Sequence, residues 1–276
     1  MKEDKGKERI LILGASGFLG NAIYKELCGY FKTFGTYFTP KNEFVKNKQF
    51  VHYNHVEDDI FEILNLVKPS IVISTLRGDF NTQVIAHEHL AQYVFEHQCK
   101  VIFISSANVF DAYSKFPSYE HDKTYSNSIY GHFKIKIENQ LMKLPKQKWA
   151  IIRLPMVFGP SAPRVEEILF KIKNKEAVEV FPNLVMNVTT FDKVSQQIHY
   201  LINRKKVGIF HLGSNDLVHH DDFIKELLQN LGIEKPLIKQ VYTTNDERYL
   251  AVLPKDNLLP KHLQIVSHEV LNELKV

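Results

Sequence analysis

The sequence predicts an α/β protein built on a doubly wound parallel sheet, with a smaller irregular region at its C-terminal end. Three observations carry this. An apolar run, Ile10 to Leu13, leads into glycines at 14, 17 and 20 and then into an apolar-periodic segment (Phe18, Leu19, Ile23, Leu27), which reads as strand, tight turn and helix. Short apolar runs then alternate with helix-length segments as far as Leu154. Beyond Pro155 the stretch Gly159-Pro160-Ser161-Ala162-Pro163 breaks that alternation.

Taken in order, the strands are 10–13, 33–38, 50–53, 71–75, 101–106 and 149–154. Between them lie helices from Phe18, over 57–67 (stopped by Pro69), over 83–97, and from Ser126 or Ser128 to Leu144 with Phe133, Ile137, Leu141 and Leu144 as its buried stripe. The later part mixes helices over 164–173, 191–203 and 221–231 with brief strands at 178–181 and 208–212.

Composition bounds what such a chain can do. With 276 residues, 44% hydrophobic and 24% charged, it can bury a full core in one large domain or two unequal ones. The charged stretch Met1 to Arg9 runs straight into a strand, and no run has the length of a membrane helix, so a cytoplasmic protein is expected with no membrane partner. Cys28 and Cys99 lie far apart and read as two buried thiols, neither a disulfide nor a metal site. His219-His220-Asp221-Asp222 looks like a metal cluster, but the two acids fit the first turn of a helix better, and no metal is expected. The net charge of +4 is spread along the chain, which argues against nucleic acid and suits an anionic ligand.

The glycine turn points to such a ligand. Glycine permits positive φ and close approach to the backbone, and the N–H groups at a helix N-terminus suit a diphosphate. Gly14, Gly17 and Gly20, with Ser16, Phe18 and Leu19 between them, are therefore the expected dinucleotide cradle. The ribose is read at the end of the second strand, where an acid favours NAD. Here Tyr37-Phe38-Thr39-Pro40-Lys41 holds no acid before Glu43, so NADP is favoured with Thr39 and Lys41 as contacts, although a solvated lysine accounts for Lys41 equally well. The loop Thr75-Leu76-Arg77 at the end of the fourth strand should also face the cofactor.

Tyr130 and Lys134 stand one helical turn apart. A phenol of ordinary pKa about 10 becomes a useful acid near neutrality only if about 4 kcal/mol favours its ionised form, which a nearby ammonium in a desolvated site can supply. Spacing does not single this pair out, since Tyr37/Lys41, Tyr119/Lys123 and Tyr200/Arg204 share it. Position does: its helix follows the strand ending in Ser105-Ser106.

The segments at 14–20 (Gly-Ala-Ser-Gly-Phe-Leu-Gly), 105–111 (Ser-Ser-Ala-Asn-Val-Phe-Asp) and 130–134 (Tyr-Gly-His-Phe-Lys, with Glu138 beyond) resemble the glycine motif, active-site strand and Tyr-x-x-x-Lys motif of the extended short-chain dehydrogenase/reductases. Within that family the chain is most similar to dTDP-4-dehydrorhamnose reductases, and Tyr119-Glu120-x-Asp122 and Ile152-Arg153-x-x-x-Val157-Phe158-Gly159 agree. The resemblance implies a Rossmann-like dinucleotide-binding domain over 1–158 and a mainly substrate-binding region over 159–276, with elements at about 187–210 returning to the first. It implies NADPH-dependent reduction of a nucleotide-linked 4-keto-deoxysugar, NAD being the alternative cofactor and a homodimer the assembly left open. Ser106 would bond the substrate carbonyl, Tyr130 would protonate its oxygen, and Lys134 would hold the nicotinamide ribose and depress the tyrosine pKa. Asn54, just past the third strand, joins the cofactor contacts, and Asn108, Met156, Arg164 and Asn187 join Ser106 as substrate contacts.

The chain departs from the family at Ala107-Asn108 in place of Asp-Tyr, at Met156 in place of Trp, and at Thr75-Leu76-Arg77 in place of small residues. Two further readings therefore stand beside the reductase. One is a non-catalytic NADP-binding regulatory subunit similar to the β subunit of methionine adenosyltransferase. The other is an NAD-dependent nucleotide-sugar epimerase or dehydratase.

Overall fold

A computed structural model describes residues 8–113 and 115–275 of the chain. Its first part alternates strand and helix: β1 (Arg9–Leu13), α1 (Phe18–Leu27), β2 (Lys32–Tyr37), α2 (Asn42–Val45), β3 (Phe50–His52), α3 (Ile60–Val67), β4 (Ile71–Ser74), α4 (Phe80–Glu96), β5 (Lys100–Ser106), α5 (Ile129–Leu141) and β6 (Trp149–Leu154). The rest comprises β7 (Met156–Phe158), α6 (Pro163–Lys173), β8 (Val178–Val180), β9 (Leu184–Met186), β10 (Val188–Thr190), α7 (Phe191–Asn203), β11 (Gly208–His211), β12 (Val218–His219), α8 (His220–Asn230), β13 (Ile238–Gln240), β14 (Arg248–Leu250) and α9 (Ser267–Asn272).

The expected doubly wound parallel sheet is present, with seven strands in the order β11-β6-β5-β4-β1-β2-β3. β1, β4 and β6 are buried along almost their whole length, as parallel strands covered on both faces must be, and this explains their largely apolar sequences, with Arg153 the buried charge in β6. β2 and β4 flank β1, so the winding reverses beside β1, and the loops leaving β1 and β4 there line the crevice where doubly wound folds take ligands.

Helix boundaries follow capping chemistry. Asp59 accepts the N–H of Phe61 and starts α3 three residues later than periodicity suggests, while Asp79 accepts the N–H of Thr82 and starts α4 three residues earlier. Lys68, in the left-handed conformation at φ 48°, closes α3 just before Pro69. Cys28 corrects one expectation: it follows α1 on an exposed face, and of the two thiols Cys99 alone is buried.

The chain forms two compact units. One takes the described residues up to Ile104 together with Phe133–Ile152 and Ile198–Gly208. The other takes Ser105–His132, Arg153–Gln197 and the chain from Ile209 onward. Within the second, β7 pairs with β10, β8 with β13, and β9 with both β12 and β14. Strands of two or three residues are too short to show a period-2 pattern, which is why all of these but β8 escaped the sequence reading. This unit is braced by buried charge. Glu120, 1% exposed, accepts the backbone N–H groups of Lys255 (3.0 Å) and Asn257 (3.2 Å). Arg153, 2% exposed, donates to the Glu120 carbonyl at 3.1 Å and lies 4.8 Å from the Phe110 ring centre.

Candidate functional site

The glycine turn belongs to the first unit. Gly14 has φ +80°, and a Cβ there would lie 2.9 Å from the Thr75 carbonyl oxygen. A Cβ on Gly20 would collide with the Gly14 carbonyl and lie 2.6 Å from Thr75 Oγ1. The first glycine is thus required by conformation and the third by close packing of α1 against the ends of β1 and β4. The turn is held from both sides: Gly14 N donates to Thr36 Oγ1 (2.8 Å), Ser16 N to Thr36 O (3.2 Å), and Thr75 Oγ1 to Leu13 O (2.8 Å).

Gly17, at the N-cap of α1, has no side chain to cap the helix, and Phe18-Leu19-Gly20 brings no acid into the first turn. Such a cradle, closed to a Cβ at Gly14 and Gly20 and leading into a helix with no side-chain cap, fits a diphosphate. Ser16, Phe18 and Leu19 lie half-buried around it. Thr39 and Lys41 are exposed beyond β2, and Lys41 is the N-cap of α2. Leu76 is half-buried and Arg77 exposed, whereas the hydroxyl of Thr75 is turned to β1 as a brace. Asn54 is buried: its N–H donates to Asp58 (2.7 Å) and its Oδ1 accepts from Val56 (3.1 Å).

Ser106 ends β5 in the second unit. Its Oγ accepts the N–H of Asn108 (3.2 Å) and donates to Asn108 Oδ1 (3.0 Å), capping a 3-10 helix over Ala107–Phe110. Tyr130, 38% exposed, sits in the first turn of α5. A Cβ on the next residue, Gly131, would run into the Asn108 carbonyl and Ser126 Oγ, so the turn carrying Tyr130 rests directly on the turn that follows Ser106. The turns that carry these two residues therefore pack against each other.

One turn along α5, Lys134 is 7% exposed. Its Nζ donates to the Ile104 carbonyl at 2.9 Å and lies 4.7 Å and 5.1 Å from the ring centres of Phe103 and Phe133. Burial pushes its pKa down to about 7; Glu138 opposes the shift and Arg77 adds to it. A lysine so poised can release a proton near neutrality, and an anion or hydroxyl brought beside it restores its charge.

The expected substrate contacts divide. Met156 is half-exposed in β7 opposite Val188, and Arg164 is exposed in the first turn of α6. Asn187 is 0% exposed: its amide donates to the carbonyls of Ser214 (3.1 Å) and Val252 (2.9 Å), and its Oδ1 accepts from Val252 N (3.1 Å). It braces the unit's frame with both amide hydrogens engaged. His220 is likewise drawn inward, accepting the Phe181 N–H at Nδ1 (3.3 Å), while Asp221 pairs with Lys225 at 2.9 Å.

Sequence reasoning missed the polar cluster of Asp111, Ser126 and Ser128 that fastens the start of α5. The available signal was a pair of hydroxyls, Ser126 and Ser128, at the point where the helix begins.

Comparison with known proteins agrees with this architecture. The chain is 23% identical over 277 residues to a dTDP-4-dehydrorhamnose reductase of Aggregatibacter actinomycetemcomitans, covering 91% of this chain and 90% of that one. It is 26% identical over 285 residues to the methionine adenosyltransferase 2 subunit beta of Xenopus laevis, covering 95% of this chain and 76% of that one. The crystal structure of a dTDP-4-dehydrorhamnose reductase from Bacillus anthracis in complex with NADP superposes with a TM-score of 0.77 at 18% identity, covering 97% of each chain. The model of the RmlD substrate binding domain matches residues 74–259, and on that match the chain belongs to the RmlD substrate binding domain family.

Proposed function

We propose that the protein is an NADPH-dependent reductase of a nucleotide-linked 4-keto-deoxysugar. The observation that carries this reading is Tyr130, accessible in the first turn of α5, with the buried amine of Lys134 one turn behind it. Likeness to reductases that take dTDP-linked sugars supports the substrate class, and the cradle around Gly14 and Gly20 supports the dinucleotide. The absence of an acid between Tyr37 and Glu43, with Lys41 and Thr39 exposed there, favours NADPH over NADH because a 2′-phosphate meets a cation and no carboxylate.

When bound, the nicotinamide supplies the hydride. Gly14, Ser16, Gly17 and the N-terminus of α1 would hold the diphosphate, and Lys134 the adjoining ribose hydroxyls. Ser106, turning its one hydroxyl proton away from Asn108 Oδ1, would donate it in a hydrogen bond to the substrate carbonyl and draw electron density onto the carbonyl oxygen. Tyr130 gives its phenolic proton to that oxygen as negative charge develops there. Lys134, once charged, stabilises the phenolate left behind. Asn108, Met156 and Arg164 would contact the sugar and its nucleotide, and Asn187 enters as a brace of that unit.

The experiment is NADPH oxidation followed at 340 nm with a panel of nucleotide-linked 4-keto sugars. Turnover should fall about 10²–10⁴-fold in Tyr130→Phe while NADPH binding persists. Equal turnover in the two proteins overturns the assignment of Tyr130.

A second reading is favoured by the likeness to the methionine adenosyltransferase subunit: an NADP-binding partner of another enzyme. NADP binding without turnover on any sugar, together with co-purification of a larger enzyme, is the result that selects it.

A further inference from the structure

The start of α5 is fastened by a single carboxylate. Asp111 closes the 3-10 helix after Ser106, its backbone N–H donating to the Asn108 carbonyl (3.3 Å). Its side chain is turned inward and only 7% exposed. Oδ1 accepts from Ser126 Oγ (2.8 Å) and from the Asn127 N–H (2.6 Å), and Oδ2 accepts from the Ser128 hydroxyl. Ser128 Oγ in turn accepts the N–H of Gly131 (3.0 Å), one of the donors that a helix leaves unpaired at its first turn. A chain of hydrogen bonds therefore runs from the residue ending the Ser106 turn to the residue after Tyr130.

The other side of Gly131 is closed by the Asn108 carbonyl and Ser126 Oγ, which leave no room for a Cβ. The first turn of α5 is thus pinned by packing on one side and by the Asp111 chain on the other. Burial raises the Asp111 pKa, but the bonds from Ser128, Asn127 and Ser126 outweigh it and hold the carboxyl below its usual range, so it is an anion at neutral pH.

We propose that Asp111 is a positioning residue for the reduction. Its carboxylate sets the first turn of α5 against the Ser106 turn, so that the Tyr130 and Ser106 hydroxyls present themselves to one carbonyl oxygen. The proposal rests on the reductase reading above. Misplacement of a reacting group by about 1 Å can cost as much as 10²-fold in rate without changing the residues that bind.

Asp111→Asn is the discriminating variant. The amide keeps an oxygen for Ser126 and Asn127 but presents N–H to Ser128 Oγ, so the Ser128 hydroxyl must turn its proton away and the charge-assisted bond to a carboxylate is replaced by a weaker neutral one of opposite direction. The expected result is a fall in kcat of about 10–100-fold, with KM for the keto sugar and Kd for NADPH within about twofold of wild type. Amide hydrogen exchange over 129–133 should accelerate without acceleration in β1 or β4. Ser128→Ala, which removes the same link from the other end, should reproduce the kcat loss. A kcat within twofold of wild type, unaltered exchange over 129–133, or a parallel loss of kcat, KM and cofactor binding in a variant that remains folded overturns the proposal. Asp111→Asn that fails to fold passes the decision to Ser128→Ala, read by the same criteria.

Failure of the reductase reading shows differently, as absence of turnover in the wild type. The positioning role is then read from the ¹³Cζ titration of Tyr130 in tyrosine-labelled protein, assigned with Tyr130→Phe. A titration displaced by Asp111→Asn, together with faster exchange over 129–133, upholds it, and an undisplaced titration overturns it.

Discussion

Lys134 Nζ donates to the carbonyl oxygen of Ile104 at 2.9 Å, tying the amine of α5 to the backbone of β5 beneath two aromatic rings. That bond fixes the amine in place while the surrounding apolar groups make its charge costly. A lysine held this way is poised to respond to what binds beside it.

The pH dependence of stability should report this. In the unfolded chain Lys134 holds its proton up to about 10.5, whereas burial lowers its pKa to about 7 in the folded protein. Between these values the unfolded state binds more protons, so the contribution of this group to cofactor-free stability rises with pH across about 7 to 10.5. Urea unfolding at pH 7 and pH 10 should show a stability gain that is smaller in Lys134→Met than in wild type; equal gains would refute it. Lys100, lowered to about 8 by burial, adds to the slope in both proteins and cancels in the comparison.

Three buried histidines govern the acid side. His87 pairs with Ser74 at 2.8 Å and with the Gln83 carbonyl, His211 donates at Nδ1 to the Leu253 carbonyl (3.0 Å), and His220 packs edge-on to Phe181. Burial lowers all three, to about 4, about 3 and about 4, with Arg153 adding to the shift at His211 and Arg164 at His220. The unfolded chain takes up these protons below about 6.5 and the folded chain does not, so stability is lost as pH falls from about 6.5 towards 4. The urea midpoint should drop between pH 7.5 and 5, and His87→Leu should drop less. A midpoint constant over that range would contradict the assignment.

Gly20→Ala tests the cradle. The added methyl meets the Gly14 carbonyl and Thr75 Oγ1, so α1 must move away from β1. A loss of about 1–3 kcal/mol is expected from the overpacking. Stabilisation by NADPH in a thermal-shift measurement should disappear, while Gly29→Ala, where a Cβ meets nothing within 4 Å, should keep it. Undiminished NADPH stabilisation in Gly20→Ala would count against the cradle as the dinucleotide site.

How much of this was legible in the sequence varies with length scale. The strand, turn and helix around Gly14 were readable because a buried parallel strand is a solid apolar run and a close-packed turn admits only glycine. α5 was readable from its stripe of Phe133, Ile137 and Leu141, all buried as expected. The small sheets of the second unit were not, since a three-residue strand such as β9 or β10 has no period, and its partner lies tens of residues away.

Local pattern therefore sufficed for the parallel sheet, its glycine turn and the helical spacing of Tyr130 and Lys134, because each of these is written in residues a few positions apart. Folding supplied what spacing cannot encode. It buried Lys134 and thereby lowered its proton affinity, turned Asn187 from a candidate contact into a brace, and joined Asp111 to Ser126 and Ser128 across about fifteen residues. Desolvation and hydrogen-bond partnership depend on which distant segments come to surround a side chain, and that is a property of the packed chain.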